Sequence, residues 1–417
     1  MDLLINHSCP ACGGQVQMKE ADRLTVCPWC DVQNYMIAGR MLRFVLPHDM
    51  PPRIDPESII YFPYLRFKGN IYTCLGSTVR CRVLDTTHQG VEAPLLPPSL
   101  GLRPQALKIA MVNDRLTGRF IRRRATPAEV LLRAEKLADS VIEPSSDALY
   151  HRAFIGESVS CLYQPLYVEN GVIHDGVLDR EIGSLDAVGP LLDDPDLLMG
   201  FDSSWQPGYL AMVCPRCGDA MQGEPDSLVV YCCNCDSCWQ ESQGSFREVG
   251  YRAIDGGAGS VHLPFWRLRV AAEGIGMKSF GDLLTVANQP VVVRSEHWDR
   301  ELEFWVPALK IRPKVFLTLA RSATLSQLRF PEGDRELPTN LQPVTLPERE
   351  AFQAIKPLFA DLAVNKRDVM PMLPDLSFAL RESILTFLPF TDTGHDYVQT
   401  HSGLSVASSV VRFGRKL

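Results

Sequence analysis

The sequence has no apolar run that approaches the roughly 20 residues a helix needs to cross a bilayer. We therefore expect no membrane-spanning segment and no membrane partner. No basic segment precedes an apolar stretch at its beginning, which predicts that no secretory signal is present. Positive charge is not in excess either, because 42 basic and 49 acidic residues give a net charge of −7. Proteins that contact many phosphates are usually basic, so this balance disfavours a nucleic-acid partner.

The common catalytic and nucleotide-binding signatures are also missing, including the phosphate-binding loop and the serine-hydrolase elbow. Two His-Asp pairs, His174-Asp175 and His395-Asp396, are the weak candidates for acid–base chemistry. Because adjacent residues in a turn point apart, we interpret both pairs as turn residues. We predict no catalytic residue, and an enzyme with a site between two halves of the chain is the last alternative.

Cysteine is what the sequence does have, with 13 residues in 417. Eight of them form two copies of one pattern, in which two C-x2-C pairs flank fourteen residues. These are Cys9, Cys12, Cys27, Cys30, Cys214, Cys217, Cys232 and Cys235. Each C-x2-C turn aims two thiolates at one point, and four thiolates suit tetrahedral Zn2+. We predict two Zn2+ per chain, both structural, since a catalytic zinc keeps an open position.

These motifs resemble the zinc ribbon, or rubredoxin-like, family over two short stretches. The resemblance implies small β-hairpin modules, each closed by a structural metal. Together with Leu263-Pro264-Phe265-Trp266, the tandem arrangement also looks like that of uncharacterised bacterial proteins, which implies no activity. One alternative stays open, because pairing Cys235 with Cys238 would lengthen the second spacing to seventeen residues. We favour Cys232 and Cys235, which repeat the first spacing, and leave the roles of Cys233 and Cys238 open.

Short sequences recur in the same order after each ribbon, which predicts two homologous halves of roughly 1–190 and 205–417. The recurring pieces are a proline-aromatic strand at Pro63 and Pro264, Ala-Leu-Lys-Ile at 106–109 and 308–311, Ala-Thr at 125–126 and 323–324, and Glu-Ser-aliphatic at 157–159 and 382–384.

Alternating apolar residues and the absence of regular βαβ units predict a β-dominated α+β fold with antiparallel sheets. The predicted domains are ribbon 1 at 1–40, a β-rich module at 41–190, ribbon 2 at 205–245 and a second β-rich module at 246–417. Capping boxes at Thr126 and Thr345 predict a helix near 127–139 and an extra helix near 346–363. The best strand candidates are 59–67, 71–83, 158–168, 263–270, 291–294 and 384–390.

A cluster of arginines is the remaining candidate binding feature. It comprises Arg115, Arg119, Arg122, Arg123 and Arg124. Such a cluster suits phosphates or an acidic protein. Because the metal motifs read as structural, we predict a cytoplasmic zinc-binding scaffold or adaptor with a protein partner. A nucleic-acid-binding zinc-ribbon protein is the alternative.

Overall fold

The computed structural model describes residues 4–37, 41–48, 50–101, 108–126, 129–133, 147–187, 189–327, 336–400 and 402–414. The chain forms two compact units. Unit 1 comprises Met1–Lys68, Leu84–Pro144 and Glu157–Met212, and unit 2 comprises Gly69–Val83, Ser145–Gly156 and Val213–Leu417. The described residues are predominantly β-strand, as the sequence predicts.

Unit 1 contains most of the strands that precede residue 212. They are β1 Leu4–Ser8, β2 Gln15–Lys19, β3 Leu24–Val26, β4 Gln33–Ile37, β5 Arg43–Val45, β6 Ile60–Leu75, β7 Thr78–Gln89, β8 Lys108–Met111, β9 Arg119–Ile121, β10 Leu149–Glu169, β11 Val172–Asp175, β12 Arg180–Ser184, β13 Leu198–Met199 and β14 Gly208–Ala211. The long strands β6, β7 and β10 each belong partly to unit 2. Helical segments are residues 129–133 and α1 Gly189–Leu192, with 3-10 turns at Pro56–Ser58, Leu185–Ala187 and Ser203–Trp205.

The main sheet has the strand order β13-β9-β6-β10-β5-β8-β1-β2, with β7 beside β6 and the hairpin β11–β12 beside β10. The first hairpin of ribbon 1 is therefore part of this sheet, because β1 pairs with β2 on one side and runs parallel to β8 on the other. The second hairpin of the ribbon, β3–β4, pairs with β14 in a small separate sheet. Ile5, Phe44, Ile109 and Leu162 meet in the core of this unit.

Unit 2 contains the remaining strands and most of the described helices. The strands are β15 Val229–Cys232, β16 Ser237–Ser242, β17 Ser245–Val249, β18 Tyr251–Ala253, β19 Val261–Glu273, β20 Glu303–Pro307, β21 Ser377–Asp392, β22 Asp396–Val398 and β23 Ser405–Ala407. The helices are α2 Phe280–Val286, α3 Ser295–Trp298, α4 Pro313–Ser326, α5 Glu348–Gln353, α6 Ile355–Leu362, α7 Lys366–Val369 and α8 Ser408–Phe413, with a 3-10 turn at Met370–Met372.

The sheet of unit 2 has the order β20-β19-β21-β22-β23, and β18 runs parallel to β21. Ribbon 2 forms its own three-stranded sheet, β15-β16-β17. Val229 and Cys238 of that sheet lie in the same apolar core as the strands and helices of unit 2. Ribbon 2 is thus packed into its unit through its apolar face.

Each of the two large sheets has its own short parallel strand pairing, formed by the strand that follows the ribbon. In unit 1, β5 runs parallel to β10, and Leu46 donates its backbone N–H to the Tyr163 carbonyl at 3.0 Å. In unit 2, β18 runs parallel to β21, and Ile254 donates to the Phe387 carbonyl at 3.2 Å. The same kind of strand therefore follows each ribbon and pairs in the same direction. Both large sheets are thus mixed, and the prediction of antiparallel sheets is wrong at these strands, because strand composition does not determine the direction of a distant partner.

The proline-aromatic strands also pair alike. The Pro63 carbonyl accepts the Gly90 N–H at 2.8 Å, and the Pro264 carbonyl accepts the Ala308 N–H at 2.9 Å. The segments around Pro63 and Pro264, which share the pattern of proline and aromatic residue before an arginine, thus occupy matching places in their sheets.

An arginine–carboxylate pair recurs three residues after each of these prolines. Arg66 binds Asp85 through two hydrogen bonds of 2.8 and 2.7 Å, and Arg267 binds Glu303 through two of 2.8 and 2.6 Å. In unit 1 the arginine is 1% exposed and also pairs with the buried Glu20 of ribbon 1. The pair therefore connects neighbouring strands in both sheets, and in unit 1 it also joins the ribbon to the sheet.

Two of the recurring pieces do not occupy matching places. Ile109 lies in β8, between β1 and β5, whereas residues 308–311 follow β20 and lead into α4. Thr126 precedes a helix, whereas Thr324 lies inside the last turns of α4. These two matches are wrong, because four-residue or two-residue identities recur by chance.

The predicted strand at 291–294 is wrong as well. This segment is irregular, and Val291 and Val292 are exposed. The predicted strand at 71–83 is two strands, since Gly76, with φ of 57°, turns β6 back into β7. β-branched residues alone indicate extended backbone but not a pairing partner.

Only one of the two predicted capping boxes forms. Thr126 and Glu129 exchange hydrogen bonds at 2.6 and 3.3 Å and begin the helical residues 129–133, while 127–128 and 134–139 lie outside the described residues. The Thr345 hydroxyl instead accepts the Lys310 N–H at 2.8 Å, so Pro347 precedes α5 without a side-chain cap. The predicted helix at 346–363 is two helices, α5 and α6.

The buried Arg66 gives a direct test of unit 1. Changing Arg66 to Met should destabilise the unit by about 3–5 kcal/mol, because the buried Glu20 would lose its positively charged partner and keep only the Ser160 hydroxyl. Urea unfolding measures the change. Arg53→Met is the control, since Arg53 is 62% exposed in its pair with Glu169 and should unfold nearly as the parent does. Equal midpoints for the two variants would contradict this role of Arg66.

Candidate metal centres

The first cysteine group brings four sulfur atoms together in unit 1. The Sγ atoms of Cys9 and Cys30 are 3.9 Å apart, those of Cys12 and Cys27 are 3.5 Å apart, and all four lie within 4.8 Å of one another. A tetrahedron with Zn–S bonds of about 2.3 Å has edges of roughly 3.8 Å. A disulfide would need about 2.05 Å. The spacing therefore fits four thiolates around one metal ion.

Tight backbone turns hold these cysteines in place. Cys9 donates its N–H to the Gly14 carbonyl at 2.8 Å, and Gly13 adopts a φ of 75° in the turn between them. The Ala11 N–H points at the Cys9 sulfur at 3.4 Å. Such N–H groups stabilise a thiolate, and a glycine adopts the left-handed conformation at little cost.

The second group repeats this geometry in unit 2. The Sγ atoms of Cys214 and Cys235 are 3.6 Å apart, and those of Cys217 and Cys232 are 3.4 Å apart. The Ser237 hydroxyl lies 3.0 Å from the Cys235 sulfur. Each group has the donor set and spacing to hold one metal ion.

Hydrogen bonds to the Cys214 sulfur in the second group favour its thiolate over its thiol. Burial opposes ionisation of Cys214, but the N–H groups of Cys217 and Arg216 and the Ser237 hydroxyl outweigh it, so that the pKa of Cys214 lies below its ordinary value. Ser237 is a residue that the spacing analysis missed. A small hydroxyl residue two positions after the last ligand is the signal that could have identified it.

The structure distinguishes the two cysteine spacings of ribbon 2. Cys238 is 1% exposed in the apolar core, opposite Tyr231 in the strand pair β15–β16, and burial raises its pKa. Cys233 is exposed. The group that forms contains Cys232 and Cys235, so the longer spacing through Cys238 is not the one observed.

Among the described residues, the apolar cluster around the metal ligands of ribbon 1 is small. This cluster consists of Cys9, Val16 and Cys27, with Cys30 packed against it. Three of these four residues are candidate metal ligands. The candidate metal ligands therefore occupy positions at which a small domain would otherwise need apolar side chains.

The interpretation of the His-Asp pairs as turn residues is wrong for the first pair, which lies at the end of strand β11 because His174 and Asp175 pair with β10. The second pair lies where the turn after β21 enters β22. Asp175 accepts the Val177 N–H at 2.8 Å and the Gln164 amide at 2.9 Å, and His174 stacks on Tyr167. The carbonyl of His395 accepts the Ser408 N–H at 2.8 Å. These contacts stabilise hairpins and give the pairs no shared site.

The arginine cluster lies on and around β9. Arg115, Arg119, Arg122 and Arg124 are exposed, and Arg123 is half-buried with a hydrogen bond to the Ala125 carbonyl. Arg124 pairs with Asp194 at 2.9 Å. This pairing places the acidic stretch after α1 beside the cluster, so part of its positive charge is balanced within unit 1.

An exposed aromatic residue on ribbon 1 was not singled out from the sequence. Trp29 lies between Cys27 and Cys30 and is 72% exposed, and Val26 and Val32 on either side are exposed too. The indole contacts Gly14 and donates to the Gln15 carbonyl at 3.2 Å. The sequence signal for this exposed side chain is a tryptophan between two metal-ligand cysteines, because so short a turn has few residues that could cover an indole.

Comparison of the chain with protein-family models, with curated proteins and with solved structures finds no match. The likeness to zinc ribbons therefore rests on the two cysteine groups. In the part of the chain that is described, no helix combines the length and apolar character of a membrane span.

Serine substitutions test the ligand set. Cys217→Ser should lose one metal ion per chain and destabilise ribbon 2, because metal binding and folding are coupled. Cys233→Ser should keep both metal ions. The number of metal ions per chain, measured by inductively coupled plasma mass spectrometry, distinguishes the two variants. Full metal content in Cys217→Ser, or loss in Cys233→Ser, would refute the assignment.

Proposed function

We propose that each cysteine group binds one Zn2+ and that both ions are structural. All thirteen cysteines are free of disulfides, which suits a reducing, cytoplasmic environment. Four sulfur ligands close the coordination shell and leave no position for water or substrate. The observation that carries this proposal is the recurrence of one four-sulfur geometry at both ribbons.

The zinc ions would stabilise two related units. We propose that the chain arose by duplication, with homologous halves near 1–190 and 205–417. The support is the matched register, in which Pro63 and Pro264 accept equivalent hydrogen bonds and Arg66 and Arg267 bind equivalent carboxylates. A chance identity of a few neighbouring residues would not give the same hydrogen bonds and ion pairs to strands far away in the chain.

The exposed tip of ribbon 1 supports a scaffold or adaptor role. Tryptophan is enriched among residues that dominate protein–protein binding, and Trp29 is flanked by exposed valines. In ribbon 2 the position that corresponds to Trp29 is the polar and exposed Asn234. We therefore propose that ribbon 1 binds an apolar pocket of a protein partner, while ribbon 2 has a purely structural role.

The described residues favour a protein partner over nucleic acid. The arginine cluster is the feature that suits phosphates, and Arg124 is already paired with Asp194. A net charge of −7 would oppose binding to a polyanion. For the enzyme alternative, the His-Asp pairs supply no joint site.

Trp29→Ala tests the adaptor proposal. The variant should keep two zinc ions and its melting temperature, because the indole is mostly exposed, but should lose at least tenfold in recovery of a stoichiometric partner from host extract. Trp298→Ala is the matched control, since Trp298 is 48% exposed in unit 2. Quantitative mass spectrometry of the purified material gives the readout. Equal recovery by Trp29→Ala and the parent, or no reproducible partner with the parent, would contradict the proposal.

A further inference from the structure

A cavity of about 570 Å³ opens on unit 2 where β20 leaves the sheet. Its apolar lining includes Val270, Ala271, Met277 and Leu302. β20 pairs with β19 as far as Arg269, and Leu302 then accepts the Val270 N–H at 3.0 Å before the chain diverges. The cavity size falls within the range of small-molecule sites, about 300–1,000 Å³.

A β-bulge sets the polar side of this cavity. Arg269 pairs with Glu382 and Val270 with Leu380, so Arg381 is the extra residue on β21. A bulge redirects the side chain of its extra residue, and bulges are frequent beside binding sites. Arg381 is among the residues that line the cavity.

Each carboxylate at the cavity is already bound by an arginine. Arg269 contacts Glu301 at 2.8 Å, Glu382 at 2.8 Å and Glu303 at 3.4 Å. No described residue forms an ion pair or hydrogen bond with the Arg381 side chain. As far as the described residues go, the guanidinium of Arg381 can therefore bind an incoming anion.

Lys278 adds a second positive charge on the lining. It lies close enough to Asp282 to interact with the carboxylate that caps α2. The Lys278 ammonium is exposed and three of its donors remain able to reach a ligand or water. The planar guanidinium of Arg381 can donate two parallel hydrogen bonds to an oxyanion, and the Lys278 ammonium adds a second positive charge.

The same place in the first half lacks this charge pattern. This comparison rests on the proposed duplication, with Arg66 aligned to Arg267, Asp85 to Glu303 and Tyr163 to Phe387. The positions of Arg269 and Glu301 then correspond to Lys68 and Val83. Both sheets keep the arginine–carboxylate pair that joins their strands, so the additional charges of unit 2 are not required to form such a sheet.

We propose that this cavity is a binding site for a small organic oxyanion, a carboxylate or phosphate carried on a compact apolar body. Arg381 and Lys278 bind the oxyanion. The half-buried Ala271 and Ala272 contact the apolar body, and the buried Val270, Met277 and Leu302 lie beneath them. Arg269 and its three carboxylates form the fixed wall of the site.

Calorimetric titration of the full chain with phenyl phosphate and with benzoate tests the site, with phenol and inorganic phosphate as partial probes. We expect one saturable site for at least one of the two full probes and clearly weaker binding of both partial probes. Arg381→Gln should weaken that binding at least tenfold, because it removes the charge that pairs with the oxyanion. Lys278→Gln should weaken it less.

Arg252→Gln is the matched control, since Arg252 is exposed on β18 of the same sheet and does not line the cavity. It should bind within twofold of the parent. The proposal is overturned by absence of saturable binding of both full probes, by phenol binding as tightly as phenyl phosphate, or by equal weakening in Arg252→Gln and Arg381→Gln. The zinc content is measured on the same samples. It shows whether a loss of anion binding occurs while both zinc ions remain bound.

Discussion

Four cysteine sulfurs that must meet around one point constrain the beginning of each unit. Around the sulfurs of ribbon 1, the apolar cluster among the described residues is Val16 with three of the cysteines. A segment this small does not fold by burial alone, so bound metal would supply much of its folding free energy. The effect reaches further than the ribbon, since β1 pairs with β8 and brings Ile5 against Ile109 in the core of unit 1.

Buried arginine–carboxylate pairs are the second constraint, and they fix register more than they add stability. Arg66 is almost fully buried and bound by Asp85 and Glu20, so a slip of either strand would leave a charge unpaired in the interior. Arg267 and Glu303 hold β19 and β20 in the same way. Where the chain leaves that register, beyond Arg269, the sheet opens into the charged cavity.

The metal ligands could be predicted from the sequence because C-x2-C spacing is local and its geometry is stereotyped. The long strands β6, β10, β19 and β21 were anticipated in part, since β-branched and aromatic residues mark extended backbone. Their partners were not, because pairing depends on residues far apart in the chain. Thr345 shows the limit of local motifs: a tertiary hydrogen bond to Lys310 displaces the expected helix cap. The bulge at Arg381 leaves no sequence signal, as it arises from the register of two strands.

Hydrogen exchange of the full chain before and after metal removal by a chelator tests most directly whether metal organises these units. The account predicts two zinc ions per chain and strong protection of β1, β8, β15 and β16 in the metal-bound protein. After chelation, protection should fall first in β1 and β15 and then in β8 and β16, which pair with them. Unchanged protection in all four strands after complete metal removal would contradict the account.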